Sequence, residues 1–336
     1  MSNFKKIIIC IMSLLILIPL GVFGYVQYRL KDVTITESTY ESKIEKVKGV
    51  TNVLLLGTDG RSGENTGRTD SMMILTIDTN NDNLKLTSLA RDTYVNIPGV
   101  GNNKLNAAYA FGKVDLLFET IENEFGIGLD KYAMVDFTSL MDIIFTLGGV
   151  EVDVQQSELN QLRKYTQECY NLCKNTNKGE LQYVQNAGIQ TLNGYQALAY
   201  SRIRYNDNAI KRDERQRKVL NAIINKYKDT PITKFNSLID SVTPYITTNL
   251  TAKDIIDLGL DGLNVVSGKS SDSLLKEGSF PITDEIHSKG GIYGNAGWVW
   301  LYDKNSTVVL KDFIYNDINM DENKYLQDNS NISLNY

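Results

Sequence analysis

The sequence predicts an α/β protein carried behind one N-terminal membrane helix, and three observations lead there. A long apolar stretch follows Lys5 and Lys6. Short apolar runs ending in glycine or aspartate recur over residues 51–89. From residue 104 onward, helical and extended patterns alternate. The 336 residues are 42% hydrophobic, with five prolines and no low-complexity run or internal repeat, enough for one large domain or two small ones.

The apolar stretch runs from Ile7 to about Val26, broken only by Ser13, Pro19 and two glycines. Roughly 20 apolar residues suffice to cross a bilayer. A cleaved signal peptide is the alternative, but its apolar region is shorter and ends in a small-residue cleavage site, which Gly21 to Gln27 does not offer. The lysines before it favour a cytoplasmic start, and Arg29 and Lys31 weaken that vote without reversing it. The expected organisation is a cytoplasmic N-terminus at 1–6, an anchor at 7–26 and an extracellular stalk at 27–48. A catalytic domain follows at 49–316, then a flexible Asn/Asp/Ser-rich tail at 317–336.

Thr51 to Gly57 reads as a strand buried on both faces, with Asp59 just past its carboxyl end. After a polar loop and Arg68, Met72 to Asp78 reads as a strand, Asn80 to Asn83 as a turn, and Leu84 to Leu89 as the returning strand. A hairpin would make Asp70 and Arg91 neighbours at one sheet edge, within reach of Asp59. Two aspartates beside a diphosphate suit Mg²⁺, which takes few protein carboxylates and completes its shell from phosphate and water. The plainer reading makes Asp59 and Asp70 turn and cap residues paired with the arginines.

Further along, Lys104 to Phe118 is helical, with Leu105, Ala108, Tyr109, Phe111 and Leu116 as a core face or the wall of a lipid groove. Lys131 to Asp136 reads as strand, Phe137 to Leu147 as helix stopped by Gly148-Gly149, and Val150 to Val154 as strand. Leu250 to Leu263 reads as a helix capped by Thr251. Trp298 and Trp300 fit packing in a C-terminal hairpin, with contact to glycan or membrane as the other reading.

Charge carries the sharpest signal. The chain has a formal net charge of −5, yet Arg202 to Lys218 holds seven basic residues against three acidic ones, a candidate anion site. Helical spacing puts Arg212, Arg215 and Gln216 on one face with Val219, Leu220 and Ile223, where a guanidinium is costly without an anionic partner. Asp213 with Arg217 and Glu214 with Lys218 read as i,i+4 pairs on the solvated face. Arg202 and Arg204 share a face if their segment is extended. No strongly basic patch points to nucleic acid.

Cysteines are sparse. A Cys169–Cys173 disulfide is compatible with an oxidising compartment, but four residues on a regular helix is an awkward span for bridge geometry. The sole histidine, His287, has no triad around it and reads as a surface or packing residue.

The stretches NVLLLGTD (52–59), GRTDSMMILTID (67–78), SLARDTYVNIP (88–98), NKLNAAYAFG (103–112), DFTSLMDIIFTLGGVEVDV (136–154), LNGYQALAYSRIR (192–204) and RDERQ (212–216) occur together, in order, behind a single anchor. In this the chain resembles the LytR-CpsA-Psr family of membrane-anchored cell-wall glycopolymer transferases. The resemblance implies an extracytoplasmic α-β-α domain with a central mixed sheet and an apolar tunnel for a polyprenyl tail. It implies transfer of a teichoic acid, capsular or related glycan from polyprenyl pyrophosphate to peptidoglycan in a Gram-positive bacterium. Residue by residue, Asp59 and Asp70 match the carboxylates that hold Mg²⁺ and pyrophosphate. Arg68, Arg91, Arg202, Arg204, Arg212 and Arg215 match the phosphate-gripping arginines, and Gln216 their polar partner. Asp59, Arg68, Asp70, Arg91, Arg202 and Arg204 are the expected catalytic set, with Asp59 as base.

One departure stands out. The family has D-x-G-R before the helix arginine, where this chain has Ala209 and Lys211, with Asp207 too early and Asp213 after Arg212. Either Asp59 or substrate-bound Mg²⁺ suffices, or Asp207 swings in, or activity is reduced. A polyprenyl-pyrophosphate hydrolase would use the same groups with water as acceptor, and a non-catalytic binder would retain lipid without turnover.

Overall fold

The computed structural model describes residues 28, 34–36, 38–58, 69–204, 209–228, 245–266, 275–328 and 334. The expected anchor at 7–26 lies outside them, as do Asp59, Arg68 and Asp207. Among the described residues no helix is long and apolar enough to cross a membrane.

In chain order the first elements are β1 (Thr34–Ile35), β2 (Val50–Thr58), β3 (Thr69–Asp78), β4 (Asn83–Leu89), β5 (Tyr94–Ile97), β6 (Gly101–Lys104) and α1 (Leu105–Phe125). Next come β7 (Tyr132–Asp136), α2 (Phe137–Thr146), β8 (Val150–Val154), α3 (Leu159–Leu172), β9 (Gly188–Leu192), α4 (Gly194–Ser201) and α5 (Ala209–Lys228). The chain closes with β10 (Thr247–Thr248), α6 (Ala252–Val266), β11 (Leu275–Phe280), β12 (Ser288–Tyr293), β13 (Gly297–Tyr302), α7 (Thr307–Tyr315) and α8 (Lys324–Asp328).

Among the described residues seven strands form one sheet in the order β1-β10-β7-β2-β3-β4-β11. It is mixed: β2 runs antiparallel to β3 and parallel to β7, while β4 is antiparallel to β3 and parallel to β11. The hairpin predicted over 72–89 is present, as are the strand–helix–strand units at 131–154. Thr251 caps α6 by accepting from the Asp254 amide at 3.2 Å, as its position predicts.

Strand alternation assigns the two sheet faces. Leu54, Leu56, Met72 and Ile74 join a core with Leu105, Ala108, Tyr109 and Phe118 of α1 and Phe313 of α7. The predicted helix at 104–118 is therefore a core helix, running on to Phe125 across a break in helical geometry at Gly112 and Lys113. Phe111 departs from the expected apolar face and is 60% exposed. A second core joins α2, α3, α4 and α5 with β8 on the other side of the sheet.

Two expected boundaries move. Residues 34–36 and 38–48 are not a free stalk: β1 joins the sheet edge, Ser38 Oγ donates to Asp115 at 2.5 Å, and Tyr40 packs on Phe118. Nor is the tail free from residue 317. Asp317 accepts from Lys276 at 2.8 Å, and Tyr325 of α8 bonds Asp303. Aromatic and charged side chains dock both segments, which a polar composition does not reveal. Cys169 and Cys173 are both buried free thiols, and His287 is a packing residue with Nδ1 2.5 Å from Asp284 Oδ2.

The sheet interior holds an ion pair. Lys85 is fully buried on β4, donates to Asp78 at 2.7 Å and lies 3.1 Å from Asp317. Burial alone would raise the Asp78 pKa, but hydrogen bonds from Lys85 and Asn81 hold it below its ordinary 3.8. A lowered folded-state pKa contributes stability above the unfolded value and loses it as pH falls. Stability should decline below pH 3.8. Lys85→Met should cost about 3–5 kcal/mol by stranding Asp78, read by urea unfolding at neutral pH.

Candidate functional site

The second core does not close against the sheet. A cleft of about 780 Å³ remains between the sheet and α2, α4 and α5. Its floor is built by register. Leu55 faces Met73 and Ala133 across the strands, and one row nearer the edge Gly57 faces Ser71 and Val135. A side chain at Gly57 would crowd the floor, since its Cβ would lie 3.1 Å from Ser71 Cβ. Phe137, Leu140, Ile143, Leu198, Val219, Leu220, Ile223 and Ile246 complete an apolar trough.

Past the carboxyl end of β2 the lining changes character. Asp70, Arg91, Arg202, Arg204, Arg212 and Gln216 all line the same cleft. The hairpin prediction for Asp70 and Arg91 holds, and Arg91 Nη1 donates to Asp70 Oδ1. Asp92 fixes the other edge of Arg91 at 3.3 Å and is itself held by Lys104 at 2.8 Å.

Arg202 reaches the cleft differently from expectation. It is the C-cap of α4 rather than part of an extended segment. Its guanidinium sits 5.1 Å from the Phe137 ring centroid and 5.7 Å from that of Tyr165. Cys169 Sγ accepts from it at 3.5 Å, and Glu168 lies 3.8 Å away. Arg204 stands nearby with its pKa held below the ordinary arginine value, by burial first and then by Arg212 and Arg91. Such crowding of positive charge is what a bound polyanion would relieve.

The α5 residues divide in a way that helical periodicity does not show. Arg212 and Gln216 face the cleft. Arg215 does not line it: the guanidinium pairs with Glu158 at 3.3 Å and donates to the Ile203 carbonyl at 2.8 Å. It therefore anchors the residue between Arg202 and Arg204, rather than gripping phosphate as its motif match implied. Arg217 is likewise not solvated surface but 8% exposed, bonded to Ser88 at 2.8 Å and Glu277 at 3.1 Å. The expected Asp213–Arg217 pair gives way to Asp213–Arg212 at 3.2 Å, whereas Glu214–Lys218 forms at 2.9 Å. Burial pushes the Asp213 carboxyl above its usual range even beside Arg212. Asp213 lines no part of the cleft, so it does not stand in for the family's missing acid. The ring wall made by Phe137 and Tyr165 went unread in the sequence, although Phe137 lies inside a quoted motif.

The family model described as "LytR_cpsA_psr family" matches residues 22–306. The chain belongs to the LytR-CpsA-Psr family. Among relatives, the polyisoprenyl-teichoic acid–peptidoglycan teichoic acid transferase TagU of Enterococcus faecalis is 33% identical over 78% of this chain and 84% of its own length. The corresponding TagT of Bacillus subtilis is 31% identical over 77% and 81%. A solved structure of TagT with bound octaprenyl pyrophosphate lipid matches with a TM-score of 0.61 at 26% identity, covering 85% of this chain and 98% of that one. TagT bound to LI-WTA matches with a TM-score of 0.65 at 27% identity over the same shares.

The two arginine roles separate experimentally. Arg202→Ala should abolish turnover and leave the melting transition near that of the parent, because its head group is partly solvated. Arg215→Ala should lower stability as well as activity, because it removes the buried guanidinium that ties Glu158 to the Ile203 carbonyl. Parallel thermal melts and turnover assays read the contrast.

Proposed function

We propose that this protein transfers an anionic glycopolymer, of the teichoic acid class its relatives are named for, from a polyprenyl-pyrophosphate carrier to peptidoglycan. One observation carries the reading: a single cleft joins a cluster of arginines to an apolar trough, matching the two halves of a polyprenyl pyrophosphate. The octaprenyl pyrophosphate carried by a structural relative supports it.

In the transfer, an acceptor hydroxyl oxygen attacks the phosphorus on the glycan side. A new P–O bond forms there, and the bridging P–O bond breaks with its electron pair leaving on polyprenyl phosphate. Arg91, Arg202, Arg204 and Arg212 stabilise the charge that develops on the pyrophosphate oxygens. The acceptor's proton goes to a base, for which Asp59 remains the candidate. Asp70 accepts from Arg91 through Oδ1, and its chemistry suits a hard cation shared with phosphate, so Asp59 and Asp70 are where Mg²⁺ would be held. When bound, Mg²⁺ would neutralise charge on the phosphate oxygens. The protein would act outside the cell, tethered by residues 7–26.

The test uses the full chain in detergent micelles with a labelled polyprenyl-pyrophosphate glycan, with and without peptidoglycan oligomers. Glycan should appear on peptidoglycan, and chelator and Asp70→Asn should each suppress it. Acceptor-independent release of sugar phosphate would replace transfer by hydrolysis, and lipid retention without turnover would replace it by binding.

A further inference from the structure

The β12–β13 hairpin keeps an aromatic ladder running out of the core into water. Its register pairs Ser288 with Tyr302, Gly290 with Trp300, and Ile292 with Trp298, all on one face. Along that face exposure rises from Tyr302 at 0% to Trp298 at 42% and Ile292 at 79%. Core packing requires the first of these residues and leaves the last two unexplained.

The Trp298 indole is held as a plate. A Cβ at Gly290 would lie 2.5 Å from its Cζ2, so the ring lies close over the glycine backbone. Trp300 meets it edge-on, with centroids 5.1 Å apart at 81°. Tyr293 packs on Tyr94 of β5 at 6.3 Å and ties down the hairpin tip. A rigid aromatic of this kind offers contact area at little entropic cost.

The plate is built onto the transfer site. The Trp300 amide donates to the Asp92 carbonyl at 2.9 Å, and Asp92 holds Arg91 through its carboxylate. Trp298 lies two strand residues further out, about 7 Å. The exposed end from Ile292 to Trp298 (IYGNAGW) carries no charged residue. Surfaces that sit on anionic lipid use clustered Lys and Arg, which this end lacks, and two exposed apolar side chains are too few for a stable protein interface. A neutral aromatic plate with an amide at its tip suits an uncharged sugar ring, which stacks its C–H face and keeps its hydroxyls wet.

We propose that Trp298, backed by Gly290 and flanked by Ile292, is a subsite for a pyranose ring of the peptidoglycan glycan strand. This rests on the transferase reading. The subsite would orient the acceptor so that its hydroxyl approaches the arginine cluster from the β5 side.

The test compares the full chain in detergent micelles with Trp298→Ala, Trp298→Phe and Gly290→Val, using soluble peptidoglycan glycan strands as acceptor. Trp298→Ala and Gly290→Val should raise the acceptor KM about tenfold. Donor KM and kcat should stay unchanged, and Trp298→Phe should recover most of the loss. An unchanged acceptor KM in Trp298→Ala would overturn the proposal, as would loss of anionic-vesicle binding in its place. If the parent protein transfers nothing, indole fluorescence titrated with the same strands decides the matter. A change in the parent that is absent in Trp298→Ala supports the subsite, and identical titrations overturn it.

Discussion

Bringing several guanidinium groups to one sheet end creates a repulsion that the surrounding structure must offset before any phosphate arrives. Three of the four arginines lining the cleft have a counter-group behind them. Asp70 and Asp92 hold Arg91, Asp213 holds Arg212, and Arg202 rests against two aromatic rings and Glu168. These partners fix the head groups, whereas burial first and then Arg212 and Arg91 hold the Arg204 pKa below its ordinary value. A charge-compensated base beneath an under-compensated surface is a preorganised anion site, because little rearrangement is needed when the ligand binds.

The apolar trough follows from how the layers meet. One sheet face is sealed by α1 and α7, while the other is covered by α6 at Ile77 and Leu84 and faces the helical core across the cleft. Leu55, Met73 and Val135 are thus left lining a cleft instead of a packed interface. Under the proposed function a lipid tail would supply the missing layer, making substrate binding an extension of core formation. Arg215 and Glu158 bind the two halves of the site together, fastening the turn that carries Arg202 and Arg204 to α5.

Much of this was legible early. Turn residues at 80–83 and two apolar runs dictated a hairpin, and a hairpin's register alone brings Asp70 to Arg91. The helix expected from Phe137 is present as α2, capped by Asp136, whose side chain accepts from the Ser139 amide at 2.7 Å. Local rules reached these because the partners are close in sequence or share one register. The α5 arginines defeated the same rules. A 3.6-residue period places Arg212 and Arg215 on one side, but whether each meets the cleft, Glu158 or Ile203 depends on chain arriving from elsewhere.

What the sequence by itself determined was the class of fold, the order of β2, β3, β4, α1, β7, α2 and β8, and the arginine-rich segment that supplies part of the cleft. Those depend on periodicity, turn chemistry and a local excess of arginine. Tertiary structure alone decided that residues 38–48 and 317–328 dock on the domain, that Lys85 is buried with Asp78 and Asp317, and that Arg217 belongs to the interior. A polar or charged side chain reads as solvated until a partner across the fold is known, since burial of charge is tolerated only where distant chain supplies the opposite charge.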